Sequence, residues 1–161
     1  MRFAFPCADI SCQLGHISAE EYRIIEQHLR KQNPLPRKDI ERYWPALFRR
    51  LKEVAAKEGL DYWDIKNIRL HYLKYHDEYI DKGDGLLRLL SPTEKELCRA
   101  KLGTVKEILT SKKERIIILE DGERVLGRYL PSVKPGDLIA YHRRFATDVL
   151  SEEEAAELRR R

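Results

Sequence analysis

The sequence predicts an α+β protein: an N-terminal helical domain over residues 1–90, followed by a small antiparallel β-barrel with a short C-terminal helix over residues 91–161. Three observations lead there. Apolar residues recur at three- and four-residue steps up to about residue 82, the period of an amphipathic helix. Beyond residue 100, short β-branched runs separated by turn signals take over. Eleven of the fourteen aromatic residues also precede residue 90, which places an aromatic core in the helical half.

Residues 1–17 read as irregular. Ser18-Ala19-Glu20-Glu21 is a capping box, in which the Ser hydroxyl and the Glu carboxylate each satisfy a free N–H at the helix start. Tyr22, Ile25 and Leu29 share one face of that helix, which stops before Asn33-Pro34-Leu35-Pro36. The next helical region carries Ile40, Tyr43, Leu47, Leu51 and Val54 on one stripe, with a break expected near Trp44 because of Pro45. Gly59 is its expected C-terminal cap. A third helix is expected from Asp61, with Ile65, Ile68, Tyr72, Tyr75 and Tyr79 as its apolar face and Gly83-Asp84-Gly85 at its end. On a regular helix His71 and His76 lie about 140° apart and do not share a face.

Leu86–Leu90 reads as the crossing between the two halves. Ser91-Pro92-Thr93-Glu94 is a second capping box, with Pro at the favoured first helical position, and one short turn of helix should deliver the chain to Cys98. Four strands are expected in the barrel. Ile116–Leu119 is one, and Asp121-Gly122 then turns the chain into the apolar pair Val125-Leu126. Pro135-Gly136 feeds Leu138-Ile139-Ala140-Tyr141. Ser151-Glu152-Glu153-Glu154 repeats the capping box, with Leu150 and Ala155 as a hydrophobic staple.

The charge balance is modest: Lys+Arg 31 against Asp+Glu 27, a net +4, which by itself implies neither a nucleic-acid nor a membrane partner. No stretch approaches the ~20 apolar residues needed to span a bilayer, and MRFAFPC is too short for a signal peptide. Three cysteines suggest no disulfide framework, so a reduced, cytoplasmic protein is expected. No P-loop, dinucleotide fingerprint, nucleophile elbow or Ser/His/Asp set points to a stand-alone enzyme.

Few residues could carry chemistry. Cys98 has Lys95, Arg99 and Lys101 around it, charges that favour its thiolate; the alternative is an inert, buried cysteine. His142 ends the last expected strand, as a ligand or as an ordinary strand-end histidine. Cys7, Cys12 and His16 form C-x4-C-x3-H, part of a metal set without the fourth ligand of structural zinc. Lys112-Lys113, Arg143-Arg144 and Arg159–Arg161 read as solvated surface charge.

The pattern LC-x-A-x-x-G-x-V from Leu97 and V-x-x-GD-x-x-x-x-H-x-x-FA from Val133, followed by the acidic helix SEEEAAEL, resembles the HypC/HupF hydrogenase-maturation chaperones over residues 97–158. The resemblance implies an OB-like barrel that holds or passes the iron–cyanide–carbonyl unit of nickel–iron hydrogenases. It also implies complexes with a HypD-type iron–sulfur scaffold protein and with the precursor of the hydrogenase large subunit. By position the family's cysteine is Cys98 and its histidine is His142, so iron would be a transient cargo. A thiolate is a soft donor that suits such low-valent iron. Cys98 is internal rather than next to an initiator Met, Leu102 stands where the family has Pro, and Arg143-Arg144 replace a small, apolar pair. Cys98, between a short helix and the first strand, is expected at the barrel's rim. OB-like barrels also bind single-stranded nucleic acid by stacking bases on aromatics in a basic groove. Only Tyr129, Tyr141 and Phe145 lie in this half, and 14 basic against 11 acidic residues over 98–161 make no basic groove, so nucleic acid is the less favoured partner.

Overall fold

Phe5 sits where the helical half and the barrel meet. Its ring is packed against Tyr22 of the helical half, and against Tyr129 and Phe145 of the barrel half, with centroids 5.3, 5.1 and 5.8 Å away. The pairs with Tyr129 and Phe145 are edge-on, an arrangement that adds about 0.5–1.5 kcal/mol each beyond the area they bury. In this computed structural model, which describes residues 1–112 and 114–159, the chain is α+β: helices, then a closed five-stranded barrel, then a short helix. Lys113, Arg160 and Arg161, read above as surface charge, lie outside the described residues.

The N-terminal segment is not irregular. A 3₁₀ turn over Phe5–Cys7 leads into helix α1, Ala8–Gln13. Phe3, Phe5, Ala8 and Ile10 are buried, so tertiary packing holds a stretch with few helix signals of its own. Helix α2 (Ala19–Arg30) starts at the Ser18–Glu21 capping box. Pro45 divides the next region into α3 (Arg37–Tyr43) and α4 (Pro45–Glu58), and Gly59 caps α4 in the left-handed conformation at φ 69°.

The third helix departs from the sequence reading in two ways. It begins at Ile65, capped by the Asp64 carboxylate on the Lys66 N–H, whereas Asp61 caps the preceding turn through the Trp63 N–H; Ile65 itself is exposed. Between α5 (Ile65–Leu70) and α6 (His76–Asp81), residues His71–Tyr75 form a π-helical turn. An i→i+5 turn brings residues five apart onto one face. His71 and His76, on different faces of a regular helix, therefore meet with ring centroids 5.6 Å apart, both buried.

A 3₁₀ segment over Gly85–Leu89 and helix α7 (Pro92–Cys98), with its Ser91–Glu94 capping box, bring the chain to the barrel. Strands β1 (Lys101–Thr110), β2 (Arg115–Leu119), β3 (Arg124–Leu126), β4 (Leu138–His142) and β5 (Phe145–Val149) close in the order β1-β2-β3-β5-β4. This order is compatible with an OB-like barrel. The barrel is not wholly antiparallel, because β3 runs parallel to β5 where Leu126 faces Phe145. β5 is the strand absent from the sequence reading. Its run FATDV carries a charge and is buried on both faces, so no alternation marks it.

Val105, Ile117, Leu119, Val125, Ile139 and Ala146 fill the barrel. A Cβ at Gly103 would overlap Leu119 Cδ1 and stand 3.1 Å from its Cγ, so the glycine makes room for that side chain. A second core runs from the helices into the barrel wall and joins Ile25, Leu29, Trp44, Phe48 and Leu51 to Tyr129 and Phe145. Asp148 of β5 is 3% exposed and is held by Arg2 at 2.5 Å and Arg69 at 2.7 Å; Arg69 also reaches Glu154 of helix α8 (Glu152–Arg159). Leu150 and Ala155, the expected staple, are both buried.

Candidate functional site

Helix α7 ends at Cys98, whose carbonyl accepts from His76 Nε2 at 3.1 Å. That bond fixes the Nε2–H tautomer of His76, since a carbonyl only accepts. Cys98 packs with Ile10, Ile80, Leu87 and Leu90 and has no solvent exposure. Cys98 stands at the end of the barrel, beside the turn between the last two strands, but buried rather than exposed. The helical half covers this end of the barrel, and the thiol lies in the seam between them.

Cys7 occupies the same seam. Its side chain packs in the cluster that holds Cys98, and its Sγ stands 3.4 Å from His142 Nε2, a contact between residues 135 apart in sequence. The two residues singled out through the resemblance, Cys98 and His142, are thus joined through a third, Cys7, which the sequence grouped elsewhere. Cys12 and His16 do not complete that earlier grouping. Cys12 packs against the helical core, while His16 lines the cavity beside Cys7. Among the described residues, no group of three or more His, Cys, Asp or Glu side chains is arranged to hold a metal ion.

The sequence reading missed Arg143. β4 and β5 are joined by the two-residue loop Arg143-Arg144, with His142 opposite Phe145 in the register. Both loop residues have positive φ, 48° and 64°, the sign that the tightest hairpin turns need at both positions and that non-glycine residues seldom adopt. The Arg143 N–H bonds the Leu97 carbonyl at 2.8 Å, which ties the turn to helix α7. Its guanidinium stands 3.6 Å from the Cys98 sulfur. The turn thus directs a cation at a buried thiol, and the only clue in sequence is a basic pair between two apolar runs.

These contacts make the two cysteines unequal. The hydrogen bond from Cys7 draws the Cys98 thiol down to about 7, and Arg143 adds to this; burial opposes both. The same hydrogen bond, with burial, pushes the Cys7 thiol well up. Of the two, the Cys98 sulfur, which faces Arg143, is the more readily ionised. Burial, then His76 and Arg143, hold His142 well below its ordinary range, so its ring is neutral. The rings of Tyr72 and His76 lie 6.1 and 5.9 Å from that of His142.

Both thiols line a cavity of about 400 Å³ at this seam, with Trp44, Leu47, Tyr72 and Leu87 among its apolar walls. Arg50, 6% exposed, also faces it and is anchored by Asp84, with Nε–Oδ2 2.6 Å apart. Burial raises the Asp84 carboxyl, but the Arg50 and Arg49 guanidiniums more than offset this and leave it below its usual range. An apolar pocket with a few convergent polar groups is a general feature of ligand sites. Among the described residues, no helix is long and apolar enough to cross a membrane. Comparison with protein-family models, with curated proteins and with solved structures finds no match for this chain.

Proposed function

We propose that this protein is an accessory chaperone of nickel–iron hydrogenase maturation, which holds or transfers the iron–cyanide–carbonyl unit through Cys98 and His142. One observation carries the reading. The cysteine and histidine singled out by the HypC/HupF resemblance stand at one point in the fold, linked by Cys7, with an arginine directed at the thiol. An iron unit that already bears cyanide and carbonyl groups needs only one or two further donors, so a pair of side chains is enough for this cargo. Thiolate and neutral imidazole are the donors such iron accepts. The protein would turn over no substrate of its own. Its partners would be a HypD-type scaffold protein and the hydrogenase large-subunit precursor, met in the cytoplasm.

Single-stranded nucleic acid is less well supported. The barrel-half aromatics Tyr129, Tyr141 and Phe145 are 2%, 4% and 9% exposed, so they offer no platform on which bases could stack.

Anaerobic pull-down of a HypD-type partner tests the proposal, with wild type, Cys98→Ala and His142→Ala compared and thermal melts of all three as a folding control. The wild type should retain the partner and both folded variants should lose it. Equal retention by all three would remove the basis for the reading.

A further inference from the structure

We infer that Cys7 and Cys98 form a reversible intramolecular disulfide, which makes this seam a thiol–disulfide exchange site. The sequence holds no C-x-x-C, and local spacing gives no hint of the pair. The fold assembles it instead, from the N-terminal 3₁₀ turn and the end of helix α7.

Three observations carry the inference. Cys7 and Cys98 pack in one buried cluster and line the same cavity, so their side chains are neighbours in the reduced protein. Both are positioned by other groups: Cys7 by His142 at 3.4 Å, and Cys98 by Arg143 at 3.6 Å. Finally, both line the same cavity of about 400 Å³. Cys12, the third cysteine, is not among the residues lining that cavity and packs on the helical core instead.

The co-reactant is a low-molecular-weight disulfide. The Cys98 sulfur attacks one of its sulfurs; a mixed disulfide forms on Cys98, and one small thiolate leaves. The Cys7 sulfur then attacks the Cys98 sulfur, closing the internal bond and expelling the second small thiolate. The two protons given up by the cysteines end on the departing thiolates. Two electrons pass from the cysteine pair to the reagent, which leaves as two thiols, and excess small thiol reverses the sequence. The disulfide itself does not depend on the proposed function. Its consequence rests on that reading: in the oxidised protein Cys98 is no longer a thiolate donor, so cargo could be taken up only after reduction.

The test uses the purified full chain and 2-hydroxyethyl disulfide at graded ratios to 2-mercaptoethanol, with alkylation, tryptic digestion and mass spectrometry. Trypsin leaves Cys98 in Glu96–Arg99 but Cys7 and Cys12 together in Phe3–Arg23, so the decisive chain is Cys12→Ser, where only one internal pair remains. The expected result is a peptide of Phe3–Arg23 joined to Glu96–Arg99 and lighter by two hydrogens. In the folded chain it should form at an oxidant ratio at least about tenfold lower than in the urea-unfolded chain, because folding raises the effective concentration of the pair. Cys7→Ser should give no linked peptide. Mixed disulfides alone in folded Cys12→Ser, or equal oxidation of folded and unfolded chains, would overturn the inference. A link to Cys12 in wild type, with none in Cys12→Ser, would overturn it too. No iron or partner enters the assay, so its failure and that of the chaperone reading are separate results.

Discussion

Replacing Cys98 with Ser separates a buried thiol from the exposed rim position that the sequence suggests. On an exposed rim the change would cost under about 1 kcal/mol, as most surface substitutions do. Cys98, however, has no solvent exposure, and its sulfur meets Cys7 and Arg143 Nη1. A hydroxyl placed there loses its water, at about 1–3 kcal/mol unless it is hydrogen-bonded. Donation from Arg143 would return about 0.5–1.5 kcal/mol, which leaves a net loss of about 0.5–1.5 kcal/mol. For a chain of this length each kcal/mol moves the melting temperature by about 2–4 °C, so a fall of about 1–6 °C is expected. Urea melts under reducing conditions give the free energy directly, with Cys98→Ala alongside to remove the hydroxyl penalty. If both variants stay within about 0.5 kcal/mol of wild type, Cys98 does not pack in the seam and the site as described is wrong.

Other substitutions test other parts of the fold, each by equilibrium urea unfolding unless stated. Gly103→Ala should cost about 1–3 kcal/mol, because its new Cβ displaces Leu119, which has no solvent exposure; a neutral result would mean that the barrel wall is loose there. Asp148→Ala should cost about 2–4 kcal/mol through the loss of the Arg2 and Arg69 pairs, below the full cost of breaking a buried pair because both arginines are about a third exposed. His142 is held neutral in the fold, well below its ordinary 6.5, whereas the unfolded chain takes up its proton near that value. The unfolded state then binds more protons, so stability should fall as pH drops below about 6.5, and His142→Gln should flatten that fall. Cys98 ionises in the fold near 7 and in the unfolded chain near 9.0, so its contribution is full above 9.0 and is lost as pH falls through about 7. Alkylation of Cys98 in folded Cys7→Ala should shift to higher pH than in wild type, since the Cys7 thiol is the main cause of the lowered value and alanine cannot donate.

What could be read in the sequence was local chemistry. The capping boxes at Ser18, Ser91 and Ser151, the break at Pro45, the Gly59 cap and the turns at Gly122 and Gly136 each depend on a few neighbouring residues, and all are present. What depends on distant packing could not be read. The π turn over His71–Tyr75 shifts one face of a helix against its neighbours, and no propensity marks it. The buried N-terminal helix takes its stability from the core around Phe5. The site divides along the same line. Cys98 and His142 stand in recognisable patterns, whereas Cys7 reaches them only through the fold and Arg143 only through two residues of positive φ. A two-residue gap between LIAYH and FATDV was the available hint that Arg143 sits on a tight hairpin.

Infrared spectroscopy of the protein purified anaerobically from cells that make the hydrogenase-maturation scaffold tests the central claim most directly. Bound cyanide and carbonyl groups on iron absorb where proteins do not, so the cargo reports itself without an activity assay. Wild type should show these bands with iron in proportion, and Cys98→Ala, shown to be folded by its melt, should lose both. Bands of equal strength in the folded Cys98→Ala protein, or none in the reduced wild type, would contradict the assignment of this site to the iron–cyanide–carbonyl unit.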